Sequence, residues 1–67
     1  MNWNKYKGET VSILITGKDD KTENYMGIIT DVKDGFMIID PNNENFSIRE
    51  IAFKTDLIKS IWVYKSP

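Results

Sequence analysis

Residues 25–40 carry two apolar runs, 25–32 and 36–40, on either side of a polar break at Lys33-Asp34-Gly35. β-Branched and aromatic side chains fill both runs, and Asp-Gly between such runs is a strong signal for a tight hairpin turn. The pattern predicts the central hairpin of a small β-barrel. In the first run, alternation puts Met26, Ile28, Thr30 and Val32 on one face and Tyr25, Gly27, Ile29 and Asp31 on the other. A glycine inside a strand marks a sharp bend or a close backbone approach, which a small barrel needs in order to close. Gly27 is that position.

The flanking segments extend the pattern. Thr10 to Thr16 alternates with Val11, Ile13 and Ile15 on one face, and Leu14 on the second face points to a covered or bent first strand. Gly17 to Asn24 reads as a polar turn, and Asp40 to Asn45, with Pro41 and three asparagines, as a loop. A fourth strand is predicted from Phe46 to Lys54. Phe46 and Ile48 share one parity while Ile51 and Phe53 share the other, a phase slip that places a β-bulge near Arg49-Glu50. After a tight corner at Lys54-Thr55-Asp56, Leu57 to Tyr64 is the fifth strand, with Leu57, Ile61 and Val63 on one face and Ile58, Trp62 and Tyr64 on the other. Apolar residues on both faces mean two covers, the second of which is expected to be another subunit, with Ile58, Trp62 and Tyr64 at the seam. Pro67 is expected to end this register. Ahead of the first strand, residues 1–7 have room for a single helical turn that aligns Trp3 with Tyr6 over the open end of the barrel. The expected fold is all-β, one strongly bent five-stranded barrel over residues 1–67.

Composition narrows what such a barrel does. A chain of 67 residues makes one domain and buries only about 60% of its unfolded surface, so self-association is the expected stabiliser. There is no cysteine and no histidine, which removes disulfides, thiolate metal sites and the commonest general base. No metal or other cofactor is expected. Asp19, Asp20 and Glu23 lack the spacing of a calcium loop and read as a solvated turn. Asp31, Asp34 and Asp40 gather around the central hairpin, but no nucleophile accompanies them, so the chain is read as non-enzymatic. Nine basic against ten acidic residues give a net charge of −1, unlike the basic excess of proteins that grip duplex DNA. No apolar run has the length of a membrane span and no export leader opens the chain, so a cytoplasmic protein is expected and the sequon at Asn45-Phe46-Ser47 is incidental.

Five short strands, a glycine-bearing second strand and a tight corner before the last strand resemble the Sm-like fold, within the wider class of SH3-like barrels. Val11-Ser-Ile-Leu is similar to its first strand, and Met26-Gly-Ile-Ile followed by Phe36-Met-Ile-Ile39 to its second and third. Gly27-Ile28-Ile29, Asp34-Gly35-Phe36, Phe53-Lys54-Thr55 and Leu57-Ile-Lys-Ser-Ile61 look most like the bacterial Sm-like RNA chaperones, the Hfq family. The resemblance implies an oligomer that binds RNA or nucleotides between subunits. Phe36 would then be the stacking residue and Lys54 the cation, with Thr55 where the chaperones carry histidine and Lys33 where other Sm proteins place a uracil-holding aspartate.

Each of these positions also has a plainer reading: Phe36 as a core residue, Lys54 as an exposed turn lysine, and Trp62 and Tyr64 as a ligand surface or a seam. Two function classes follow. One is an Sm-like ring with a basic rim of Lys33, Arg49 and Lys54. The other is a protein-binding barrel, an adaptor or small inhibitor, with an exposed aromatic patch.

Overall fold

The computed structural model describes residues 2–41 and 48–65. It contains one antiparallel sheet of five strands, β1 (Thr10–Thr16), β2 (Thr22–Lys33), β3 (Phe36–Asp40), β4 (Ile51–Lys54) and β5 (Ile58–Val63). The order across the sheet is β4-β3-β2-β1-β5, so β4 and β5 are the two outer strands. Short 3-10 turns cover Trp3–Tyr6, Lys18–Asp20 and Thr55–Leu57. The all-β, five-stranded architecture read from the sequence is the one found.

The core shows why the sheet is bent. Val11, Ile13, Ile15, Ile29, Met37, Ile39 and Phe53 are all buried, and they come from four strands of the same sheet. No second layer covers them among the described residues, so the sheet itself must wrap around its apolar face. The Tyr25 and Phe53 rings stack with centroids 5.8 Å apart although β3 separates their strands. Phe53 pairs with Met37 and Met37 with Val32, seven residues along β2 from Tyr25, so a flat sheet would hold those two backbones more than about 20 Å apart. Trp3 and Tyr6 close one end of this core, with ring centroids 6.1 Å apart. The first turn is fixed by Asn2, whose side chain accepts the Asn4 N–H at 3.0 Å.

Two local devices create the curl. At Gly27 a side chain would collide with the backbone of β3's end: a Cβ there would overlap the Asp40 carbonyl and lie 3.0 Å from the Pro41 Cα. This is the close approach that glycine allows. The second device is a pair of bulges, in places other than the sequence pattern suggests. Ile29 pairs with Ile39 and Asp31 with Ile38, so Thr30 is an extra residue in β2. Val32 therefore joins the core side with Ile29 and is not on the face of Met26 and Ile28. In β5, Ser60 pairs with Leu14 and Ile58 with Ile15, so Lys59 is the extra residue. Ile58 and Ile61 consequently both pack on the core. The bulge expected at Arg49-Glu50 is not found, because residues 48–50 precede β4 and belong to no strand. Phe46 and Ser47, the loop at 42–45, its sequon and Pro67 lie outside the described residues.

The turns differ in their agreement with the pattern. Asp34 and Gly35 both have positive φ, 54° and 80°, and Lys33 pairs with Phe36 across them. That is the two-residue turn whose twist matches the flanking strands. The first turn is shorter than expected: β2 already begins at Thr22, opposite Thr16, with Asp19 and Asp20 taking positive φ between them. Leu57 belongs to the corner, not to β5.

Candidate nucleic-acid interface

Strand parity brings three of the sequence-selected residues into one row. Val32, Met37 and Phe53 point into the core, so their neighbours Lys33, Phe36 and Lys54 point out. Lys33 pairs with Phe36, and Phe36 with Lys54. An aromatic ring thus stands between two lysines on adjacent strands. Phe36 is 42% exposed, which overturns its reading as a core residue. The fourth residue, Thr55, ties the row together: its N–H and its hydroxyl both donate to the Gly35 carbonyl, at 2.9 and 3.2 Å. The hairpin turn and the β4–β5 corner are therefore one rigid edge.

The charges around this edge are mixed. Lys33 and Lys54 are exposed and form no ion pair among the described residues. Asp34 and Asp56 flank them, also exposed. Arg49, expected on the same rim, is not brought there. It lies with Thr30, Asp40 and Glu50 around a wide depression towards the opposite end of β3. The three hairpin carboxylates do not converge either. Asp31 takes an ion pair from Lys7 at 3.2 Å, Asp34 sits in the turn, and Asp40 pairs with Ile28 at the far end of β3. The hydrogen bond from Lys7, then the Val32 N–H and the Lys7 charge, hold the Asp31 carboxyl below its ordinary range. Glu23, read with Asp19 and Asp20 as part of a solvated turn, lies in β2 and accepts the Tyr25 hydroxyl at 2.6 Å. This bond holds the phenol proton and raises the Tyr25 pKa. No cluster of three metal-ligating side chains occurs among the described residues.

The expected subunit seam divides. Trp62 is 53% exposed and Tyr64 50%, but Ile58 packs on the core because of the Lys59 bulge. Sequence reasoning missed the neighbours that complete the exposed patch. Ser12 lies between Trp62 and Met26 across three strands. Thr10, bonded to Tyr64 through its carbonyl, pairs with Ile28. Met26 and Ile28 are exposed, and Ser12 is buried in the middle of this outer face, accepting a hydrogen bond from Asn24 at 2.9 Å. The alternation of Met26 and Ile28 with core-facing Gly27 and Ile29 was the available signal. No helix among the described residues is long and apolar enough to cross a membrane.

Compared with protein-family models, curated proteins and solved structures, the chain matches none.

Proposed function

We propose that this chain is a non-enzymatic binding module that associates edge to edge into an Sm-like oligomer and binds single-stranded RNA or nucleotides at its subunit boundaries. The observation that carries the reading is the Lys33–Phe36–Lys54 row, an exposed aromatic between two cations on a rigid edge. Such an arrangement suits a base stacked on the ring with phosphates beside it. One stacked base contributes about 1–3 kcal/mol and tolerates sequence. A single site of that strength is weak; repeated around an assembly it gains through avidity.

The sheet supplies a route to that assembly. Tyr64 donates its N–H to Thr10, so by alternation Ile61 and Val63 direct their backbone groups away from β1. Thr55 donates to Gly35 on the other flank, so Ala52 and Lys54 direct theirs away from β3. The two open edges differ in sequence, which favours head-to-tail pairing of β4 in one copy with β5 in the next. A cytoplasmic setting goes with this reading. Native mass determination with and without a short RNA tests it. An oligomer that retains RNA is expected; a monomer at high micromolar concentration, with no RNA adduct, would overturn it.

The outer-face patch of Met26, Ile28, Trp62 and Tyr64 favours a second reading, a protein-binding barrel in the SH3-like manner. Trp62→Ala would then abolish partner binding while Phe36→Ala would not.

A further inference from the structure

An open cleft of about 350 Å³ adjoins the Lys33–Phe36–Lys54 row. Asn2, Trp3 and Asn4 of the first 3-10 turn form one wall, Val32 to Gly35 of the hairpin a second, and Thr55 and Asp56 of the corner a third. The walls differ in chemistry. Trp3 is half-buried, packed against the core, and lines the cleft with an aromatic side chain. Lys33 and Asp34 both line the hairpin wall, which thus carries an ammonium donor and a carboxylate acceptor. Asp56 brings a second carboxylate from the corner that Thr55 holds against the hairpin. Neither Asp34 nor Asp56 has a hydrogen bond or ion pair among the described residues.

We infer that this cleft reads the edge of a nucleobase and prefers guanine. The inference rests on the RNA-binding reading above and names the base that the site selects. Guanine presents, in order, the O6 acceptor, the N1–H donor and the N2 amino donor. The Lys33 ammonium donates to O6, while one carboxylate accepts from N1–H and N2–H together. Trp3 offers the base an aromatic wall. Uracil presents acceptor, donor, acceptor, so one of its carbonyls would face carboxylate lone pairs. Adenine and cytosine each offer a carboxylate only a single amino group on that edge.

Amide chemical-shift titrations of the full chain with guanosine and uridine 5′-monophosphates test this, because the two probes share the phosphate and the sugar. Guanosine monophosphate is expected to move the amides of Lys33 to Gly35, Thr55 and Asp56 and the Trp3 indole. Its dissociation constant should be at least about fivefold lower than that of uridine monophosphate, the low end for a bidentate pair. The double variant Asp34→Asn/Asp56→Asn should bring the two constants together. Both sites are exposed, and asparagine tolerates the positive φ of Asp34, so this variant is expected to fold. Equal binding of both nucleotides, shifts confined to Phe36 and Lys54, or a preference that survives the double variant would each overturn the inference and leave the RNA reading standing. If neither nucleotide moves the amides of the cleft or those of Phe36 and Lys54, both fall together.

Discussion

Phe36 and Phe53 are the same side chain put to opposite uses by strand parity. Phe53 is 6% exposed and stacks on Tyr25, whereas Phe36 is 42% exposed between lysines. Phe53→Ala is therefore expected to cost about 3–5 kcal/mol in urea unfolding. Phe36→Ala should change stability by less than about 1 kcal/mol and, on the proposed RNA-binding reading, remove most RNA binding, measured by fluorescence anisotropy. Gly27→Ala should destabilise by about 1–3 kcal/mol, because the new methyl meets the Asp40 carbonyl where the backbone cannot give way. The role of Gly27 was legible in the sequence, since nothing but a backbone demand explains glycine in so apolar a run. The exposure of Phe36 was not. One aromatic at the start of a strand carries no parity until its neighbour Met37 is known to be the core residue. Asp31 offers a prediction in pH. Its carboxyl is held below the ordinary 3.8, first by Lys7, so the stability it contributes is present above that value and lost as pH falls through the lower folded one. Lys7→Met should lower the urea midpoint near neutral pH by a small amount, as both side chains are half in water. The gap from the natural chain should close as pH falls below 3.8.

Between residue and molecule, the elements follow the apolar pattern except where an extra residue interrupts it. Alternation reads β1 correctly because no residue interrupts Val11, Ile13 and Ile15. It misassigns Val32 in β2 and Ile58 in β5, since Thr30 and Lys59 each shift everything beyond them by one position. The spacing Ile58-x-x-Ile61 was the trace of the second bulge, but three-residue spacing also occurs by chance in an apolar strand. The slip near Arg49 is a false signal of the same kind, for residues 48–50 precede the strand. Strand pairing also fixes which backbone groups are available to a neighbour. Val63 directs its N–H away from β1, so Val63→Pro removes an outward donor without breaking the ladder. Trp62→Pro, one residue earlier, removes an inward one. Circular dichroism should show Val63→Pro folded, and light scattering should show it less associated than the natural chain. An unchanged mass for folded Val63→Pro would rule out β5 as the joining edge.

For the whole molecule, charge decides how any RNA is held. The chain carries a net charge of −1, so no general field draws in a polyanion and binding must come from local cations. Two of them, Lys33 and Lys54, stand beside Phe36, with Asp34 and Asp56 limiting how far their potential extends. Few phosphates would then be neutralised per subunit, and the salt dependence should be shallow for each site and multiplied only by assembly. For single strands the slope of log K against log salt is about −0.7 per phosphate contact. Lys54→Ala should make the slope less steep by about that amount for each subunit the RNA touches, and weaken binding to all sequences alike. Lys21→Ala serves as the control, because Lys21 is equally exposed but lies in the β1–β2 turn, away from the row. A slope unchanged by Lys54→Ala, or changed as much by Lys21→Ala, would mean that the row does not face the phosphates. The aromatic face around Trp62 would then be the better place to look for the partner.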